Sequence, residues 1–267
     1  MGNGERMRRM KIPILMYHDI CENSPSAMKG RSIHPSYFVS AETFRSQLQS
    51  ISNLHLLAIT LAELSKHHEN IDNAKKVILS FDDGYVGNYL CAFPELKAQG
   101  MVATFFCAVS LIGKKNMMTW SNLKEMISEG MSVQSHGFSH RPLASLSKEE
   151  IYEDLKRSKT ELEDNLGERV AYLSLPHGSF NRHVISAAKE IGYEKICTSL
   201  IGYNTGDEYL LRRILFRSDD NPQKYEKLIT GRYNFLFPKF IEKMKTAIKN
   251  SIGHGNYLRL YHYFHKI

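Results

Sequence analysis

The sequence predicts a distorted (β/α) barrel of about seven parallel strands. Short apolar runs alternate with longer segments of helical period through most of the chain. Four of the five predicted helices stop at a glycine, the residue that most easily adopts the left-handed conformation ending a helix. Strands that alternate with helices pair in parallel through right-handed crossovers, and about seven such units close or nearly close a barrel.

The apolar runs have the length of buried strands and are bounded by polar or turn-forming residues. We predict strands at residues 12–17, 77–81, 102–109, 131–134, 170–175, 194–198 and 213–216. Two long polar stretches, residues 19–40 and 65–76, are predicted as loops, and loops of that length tend to be functional.

Five segments with apolar residues at helical spacing lie between the strands. They cover residues 41–50, 88–99, 121–129, 147–166 and 181–191. The fourth opens with Ser147 and has Glu150 three residues later, which is the capping-box pattern of a helix N-terminus. Glycines follow the last four segments, at Gly100, Gly130, Gly167 and Gly192.

The net charge of +7 is concentrated at the two ends of the chain. Residues 231–267 contain seven Lys or Arg and one acid, and residues 1–11 contain four Lys or Arg and one acid. The part between them lacks the basic face and reading motif of a nucleic-acid-binding domain, so we expect no nucleic-acid partner. These differences divide the chain into a basic N-terminal extension (1–11), a barrel (12–230) and a basic aromatic C-terminal tail (231–267).

Residues 239–250 of the tail have apolar residues at helical spacing with lysines between them, which predicts an amphipathic helix. Two interpretations stay open: the helix packs on the body, or it contacts an anionic membrane surface. No apolar run reaches the ~18 residues of a membrane span, and the run after the basic N-terminus is too short for a signal peptide. The four cysteines are far apart and form no CxxC pair, so we expect reduced thiols and a cytoplasmic location.

Ionisable residues follow directly after four of the predicted strands. His18 follows the first strand, Asp82 and Asp83 the second, and the pair His136 and His140 the fourth; His177 follows the fifth. The C-terminal ends of parallel barrel strands open on one face. The sequence therefore predicts that these groups, although remote along the chain, lie together there.

Asp83, His136 and His140 offer one carboxylate and two imidazoles, a three-ligand set that leaves a fourth position open for water. Zinc is the first expectation, and cobalt or nickel also suits these ligands. A turn at the Asp-Asp-Gly sequence and polar loop histidines would explain the same residues without a metal. Because successive residues point to opposite sides, Asp82 stays free to act as a base, which indicates metal-assisted hydrolysis of an amide or ester.

The motifs FDDG at 81–84, SHGFSH at 135–140 and LPHGSFN at 175–181 resemble those of the polysaccharide deacetylases, carbohydrate esterase family four. The resemblance covers at least residues 12–218. It implies a distorted barrel and metal-dependent removal of N-acetyl groups from amino sugars. It also implies roles: Asp82 as catalytic base; Asp83, His136 and His140 as metal ligands; the His177 main-chain N–H as oxyanion donor. Trp120, in the MTW sequence, is expected on the substrate side.

Two departures from the family pattern concern the proton-transfer groups. The arginine that orients the base is replaced by Ser174, and the late LxH motif that supplies the general acid is missing. The opening LMYH at 15–18 resembles the branch that includes the poly-β-1,6-N-acetylglucosamine deacetylases, in which an early histidine is the acid. This makes His18 the general-acid candidate. Arg213, in the last predicted strand, is a candidate to replace the missing arginine and orient the base. The alternatives are a core-facing His18 and an Arg213 paired at the surface.

The expected function is a metal-dependent hydrolase that removes N-acetyl groups from an amino sugar or polysaccharide and releases acetate. Its expected partner is an N-acetylated saccharide. Two alternatives stay open: a non-catalytic saccharide-binding protein of the same fold, and an amidohydrolase that acts on a non-sugar amide.

Overall fold

The computed structural model describes residues 11–21, 37–66, 75–216 and 221–235. Two units are distinguished, residues 1–232 and 233–267, and every element described below belongs to the first. The predicted basic extension, apart from its last residue, and the predicted amphipathic helix at 239–250 lie outside the described residues, as does most of the tail.

The described residues contain ten strands. They are β1 (Ile14–Tyr17), β2 (Asp19–Cys21), β3 (Phe38–Ser40), β4 (Leu57–Ala58), β5 (Lys76–Phe81), β6 (Thr104–Cys107), β7 (Ser132–Ser135), β8 (Tyr172–Ser174), β9 (Lys195–Ile201) and β10 (Leu210–Leu215). Seven of them form a closed parallel ring in the order β1, β10, β9, β8, β7, β6 and β5. The ring closes because β1 pairs on one side with β10 and on the other with β5. Each of the seven predicted strands is a strand of this ring, so the predicted barrel is confirmed.

Six helices lie between the barrel strands along the described chain, and a seventh follows the last strand. They are α1 (Ala41–Asn53), α2 (Leu61–Lys66), α3 (Phe93–Ala98), α4 (Trp120–Ser128), α5 (Lys148–Leu166), α6 (Arg182–Ile191) and α7 (Pro222–Ile229). The five predicted helices are present, although a π-helical turn (Asn88–Ala92) forms the first half of the second one. The capping box of Ser147 and Glu150 is present at the start of α5, and Gly167 ends that helix with a left-handed backbone, φ 70°. Helices α2 and α7 were not predicted.

No helix within the described ranges is both long enough and apolar enough to cross a bilayer.

The stretch 19–40 was predicted as one polar loop, and its described residues, 19–21 and 37–40, differ from that prediction. Its two ends form β2 and β3, which pair with each other in parallel outside the barrel. The reason is local: Ile20, Phe38 and Val39 are apolar and almost completely buried. The stretch is polar as a whole, and its apolar residues are concentrated at its two ends, where the strands form.

The barrel strands are buried on both faces. Every residue of β1 and β5 is buried, as expected for a parallel barrel covered by helices. On the helix side, Tyr17 stacks on Phe81 at a ring-centroid distance of 5.3 Å, and its edge contacts Phe44 of α1. Phe81 in turn stacks on Phe105 at 4.6 Å. These rings pack β1, β5 and β6 rigidly just before the strands end.

Helix α5 holds the loop that follows β7. Asp154 accepts hydrogen bonds from the main-chain N–H groups of Phe138 (2.7 Å) and Ser139 (3.0 Å). One turn further along α5, the guanidinium of Arg157 lies 3.7 Å from the ring centre of Phe138. Asp154 is buried, so it satisfies two loop donors away from water. The helix thereby sets the path of the loop between His136 and His140.

We expect Asp154→Ala to lower the free energy of unfolding by about 1–3 kcal/mol, because it leaves two partly buried N–H groups without an acceptor. Urea unfolding followed by circular dichroism measures the difference. Asp164→Ala is the matched control, since Asp164 is an exposed aspartate of the same helix, and it should change stability by less than about 0.5 kcal/mol. Equal effects of the two substitutions would contradict the role given to Asp154.

Candidate active site

One cavity of about 480 Å³ opens at the C-terminal ends of the barrel strands. It brings together the side chains of six predicted site residues, which come from the ends of β1, β5, β7 and β8. They are His18, Asp82, Asp83, His136, His140 and His177. The other two predicted residues, Arg213 and Trp120, do not line the cavity, but Arg213 contacts Asp82.

Asp83, His136 and His140 form one cluster. Oδ1 of Asp83 lies 2.9 Å from Nε2 of His140 and 3.2 Å from Nε2 of His136. One ligand atom from each residue can be chosen so that all three lie within 4.8 Å of one another. Ligands held about 2.0–2.2 Å from a tetrahedral ion are themselves roughly 3.3–3.6 Å apart. Both measured distances are shorter than this, and the donor set of one carboxylate and two imidazoles suits a single divalent ion.

The ring orientation of His136 supports a cation between these residues. Its Nδ1 lies 2.9 Å from the main-chain oxygen of Ser174, which only accepts, so Nδ1 carries a hydrogen. In the neutral ring, Nε2 then presents a lone pair to the carboxylate of Asp83. Two acceptors at 3.2 Å require a positive charge between them or a second proton on the ring. A metal-ligating histidine is also usually oriented in this way, by a hydrogen bond from its other ring nitrogen to a carbonyl oxygen.

The pKa values of Asp83 and His140 are shifted from their ordinary values. Burial by itself raises the pKa of the Asp83 carboxyl, but the contacts with His136 and His140 outweigh it and hold that pKa well below its usual range. Burial lowers the pKa of His140, and the contact with Asp83 more than reverses this, so the net shift is upward. Asp83 is therefore an ionised ligand candidate in a buried position.

The backbone is strained at three residues of the site. Asp83, His140 and His177 have φ values of 73°, 59° and 56°, in the left-handed region that favours glycine. Such conformations cost of order 1–3 kcal/mol each and persist only where the surrounding structure enforces them. Three of the five non-glycine residues with positive φ in the described part of the chain lie in this cavity.

Asp82 is held as a buried anion. Arg213 donates from Nη1 to Oδ1 at 2.7 Å and from Nη2 to Oδ2 at 2.8 Å, and the hydroxyl of Ser174 donates to Oδ2 at 3.1 Å. Burial raises the pKa of the Asp82 carboxyl, and the guanidinium of Arg213 overcomes this and lowers the net pKa. The carboxylate is thus ionised although it is only 3% exposed.

Arg213 lies inside the protein, not in a surface pair, with 1% exposure. The register of β10 against β9 shifts between Leu211 and Arg213, and irregularities of this kind re-aim side chains. Nε of Arg213 donates to the main-chain oxygen of Thr198 at 3.0 Å, which fixes the plane of the guanidinium. The structure therefore pairs Arg213 with the side chain that the resemblance assigns as base.

His18 lines the cavity and does not face the core. Its ring stacks on Tyr37, with centroids 4.7 Å apart and an interplanar angle of 13°. Nδ1 is buried and has no hydrogen-bond partner among the described residues. Burial lowers the pKa of His18. The charges of Asp83 and Asp82 act in the opposite direction but do not cancel this effect, so the net shift is downward. The imidazole is therefore a titratable group near both aspartates.

His177 lies at the edge of the cavity, where its Nε2 is 3.3 Å from the main-chain oxygen of His140. Burial and the nearby His140 lower the pKa of its ring. Trp120 is the first residue of α4 and is half buried outside the cavity lining. Its predicted contact with substrate stays a prediction.

Several cavity residues were not found from the sequence. Tyr37 and Tyr85 add aromatic surface, and Met16, Leu175 and Leu215 form an apolar part of the wall. Met16 and Leu215 belong to barrel strands and Leu175 directly follows one, so position relative to a strand end was an available signal. Nothing local distinguishes Tyr37, which comes from the stretch predicted as a loop.

Comparison with known proteins identifies relatives of this chain. Residues 69–196 match the family model described as polysaccharide deacetylase. The putative polysaccharide deacetylase YxkH of Bacillus subtilis is 29% identical over 239 residues, which cover 88% of this chain and 77% of the relative. The poly-β-1,6-N-acetyl-D-glucosamine N-deacetylase of Staphylococcus epidermidis is 27% identical over 227 residues, covering 77% of this chain and 78% of the relative.

A solved structure has the same fold over most of its length. The deacetylase PplD of Streptococcus pyogenes, in complex with acetate, superposes with a TM-score of 0.75 at 27% identity. The superposition covers 83% of this chain and 99% of that one. The closed barrel, the family match and these relatives agree. The chain therefore carries a polysaccharide deacetylase domain, which the family model matches over residues 69–196.

Proposed function

We propose that this protein is a metal-dependent N-deacetylase that hydrolyses the acetamido group of an amino sugar or polysaccharide and releases acetate. One observation carries the proposal: an ionised, arginine-bound aspartate stands directly beside an Asp-His-His cluster in one cavity. Hydrolysis of an unactivated amide needs an attacking water, a base, charge stabilisation and a proton for the leaving amine. The cavity offers a candidate group for each of these needs.

Asp83, His136 and His140 would hold the ion. A divalent cation bound there would polarise the acyl oxygen and lower the pKa of water toward ~7. Zinc suits one carboxylate and two imidazoles, and cobalt or nickel suits the same ligands. The carbonyl of Ser174 supports this assignment because it leaves Nε2 of His136 free to ligate.

The side chains of this protein divide the proton transfers between them. Asp82 takes a proton from the attacking water, and Arg213 keeps that carboxylate ionised and oriented. The main-chain N–H of His177 donates to the developing oxyanion. His18 gives a proton to the leaving nitrogen, because this nitrogen is expelled only as a neutral amine and not as an anion. Acetate and a free amino sugar are the products.

An N-acetylglucosamine polymer is the proposed substrate class. The Staphylococcus epidermidis relative is named for its action on poly-β-1,6-N-acetyl-D-glucosamine, and its similarity spans 77% of this chain. The tyrosines at the cavity, Tyr37 and Tyr85, provide aromatic faces of the kind on which sugar rings stack. Both features agree with an N-acetylated saccharide as the binding partner.

Metal removal tests the proposal directly. The zinc-loaded protein should release acetate from N-acetylated glucosamine oligosaccharides, and chelation followed by removal of the chelator should abolish release until zinc is restored. Acetate is measured by an enzyme-coupled assay. Full activity of the metal-free protein would refute the mechanism. Saccharide binding without turnover would favour the non-catalytic alternative, and turnover confined to non-sugar amides would favour the amidohydrolase.

The ligand assignment makes a second readout available, which is the metal content. Alanine at Asp83, His136 or His140 should reduce bound zinc from one per chain to a small fraction and lower activity more than about a hundredfold. Elemental analysis of the purified variants measures the metal. His183→Ala is the control, because this histidine lies at the start of α6 outside the cavity. Retained zinc in all three ligand variants would refute the site.

We expect Arg213→Lys to lower kcat by about 10–100-fold while zinc content stays unchanged. Lysine keeps the charge but cannot donate two parallel hydrogen bonds to Asp82, so the base loses its fixed orientation. Arg212→Lys is the matched control, since Arg212 is the exposed neighbour on the same strand. If the two variants have the same kcat, Arg213 has no orienting role.

His18→Ala should separate two kinds of substrate. Deacetylation of an N-acetyl sugar needs a protonated leaving amine, so its kcat should fall by about 10²–10⁴-fold. Cleavage of p-nitrophenyl acetate, whose leaving group needs no proton, should fall by less than about fivefold. Steady-state kinetics on both substrates measures the ratio. A parallel loss on the ester and the amide would remove His18 from the acid role.

A further inference from the structure

Ser174 touches both halves of the candidate active site. Its side-chain hydroxyl donates to Oδ2 of Asp82 at 3.1 Å, and its main-chain oxygen accepts from Nδ1 of His136 at 2.9 Å. The residue is the last of β8 and is completely buried. Ser174 thus lies between the proposed base and a proposed metal ligand, with a different group directed at each.

The hydrogen bonds around Asp82 can be counted oxygen by oxygen. A carboxylate has about four acceptor sites, two on each oxygen. Arg213 occupies one site on Oδ1 and one on Oδ2, and Ser174 occupies the second site on Oδ2. Oδ2 is therefore saturated, and the one acceptor site left by these contacts is on Oδ1.

We propose that Ser174 is a positioning residue that makes Oδ1 of Asp82 the proton-accepting atom. The hydroxyl blocks Oδ2, so that a water molecule approaching the base meets a usable lone pair only on Oδ1. Arg213 alone cannot do this, because its fork binds the two oxygens alike. The inference deepens the proposed function and rests on it.

Side-chain and main-chain contacts of Ser174 are separable by mutation. Replacing the hydroxyl leaves the carbonyl, and with it the orientation of His136, in place. Ser174→Ala should therefore change proton transfer without changing metal binding. A merely structural role would instead lower stability, metal content and activity together.

Serine 80 offers a matched control. It is also completely buried, lies on β5 two residues before Asp82, and donates its hydroxyl to the main-chain oxygen of Leu15 at 2.7 Å. Ser80→Ala therefore removes a buried strand hydroxyl of the same barrel that does not contact the base. Thermal unfolding of both alanine variants shows whether their losses of stability are comparable.

The experiment compares the zinc-loaded wild type, Ser174→Ala, Ser174→Thr and Ser80→Ala on N-acetylated glucosamine oligosaccharides. We expect Ser174→Ala to lower kcat about tenfold, with KM and zinc content within about twofold of wild type. Ser174→Thr, which keeps the hydroxyl, should recover most of kcat, and Ser80→Ala should keep it. If the alanine variant does not fold, Thr and Val at position 174 give the same comparison, since they differ chiefly in the hydroxyl.

Three results would overturn the inference. They are an unchanged kcat in Ser174→Ala, an equal loss in Ser80→Ala, and a loss of zinc that accounts for the loss of activity. A wild-type protein that releases no acetate would overturn the proposed function and this inference with it. An active wild type with an unaffected Ser174→Ala overturns the inference alone.

Discussion

The two-sided pairing of β1 is the constraint on which the site depends. Leu15 lies opposite Leu79 of β5 on one side and Ile214 of β10 on the other, and this pairing closes the barrel. Closure brings Asp82 at the end of β5 against Arg213 of β10, although 131 residues separate them in the chain. Without a closed ring, a charge buried at either position would lack its partner and cost several kcal/mol.

Two consecutive aspartates receive opposite surroundings from this architecture. Asp82 contacts a guanidinium and a hydroxyl, both pure donors to it, so its charge is compensated within the protein. Asp83 contacts two imidazoles, one of which turns a lone pair toward it in its neutral form. The charge of the first is thus compensated by the protein, and the surroundings of the second suit a bound cation or a protonated imidazole. Different roles for identical side chains commonly arise from environment in this way.

Much of the barrel and of the site could be predicted because both follow from local patterns. Apolar runs mark the seven barrel strands, and the residues just after them, such as His18, Asp83 and His136, meet at one face for geometric reasons. Contacts that depend on long-range register could not be predicted. Arg213 was a candidate for orienting the base only because the family arginine is missing, and neither the register shift in β10 nor the hydrogen bond from Ser174 to Asp82 is visible in the local sequence.

The left-handed backbone at Asp83, His140 and His177 has a consequence for the evolution and engineering of this protein. At Asp83 and His140 glycine would relax the chain, yet it would delete the side chain that is proposed to bind the ion. At His177 the proposed donor is the main-chain N–H, which glycine would keep. Selection for thermal stability and selection for turnover are therefore opposed at positions 83 and 140. Thermal stability is more readily raised at positions away from the cavity. A homologue with glycine at position 83 or 140 would have a less strained backbone but would lack a proposed metal ligand.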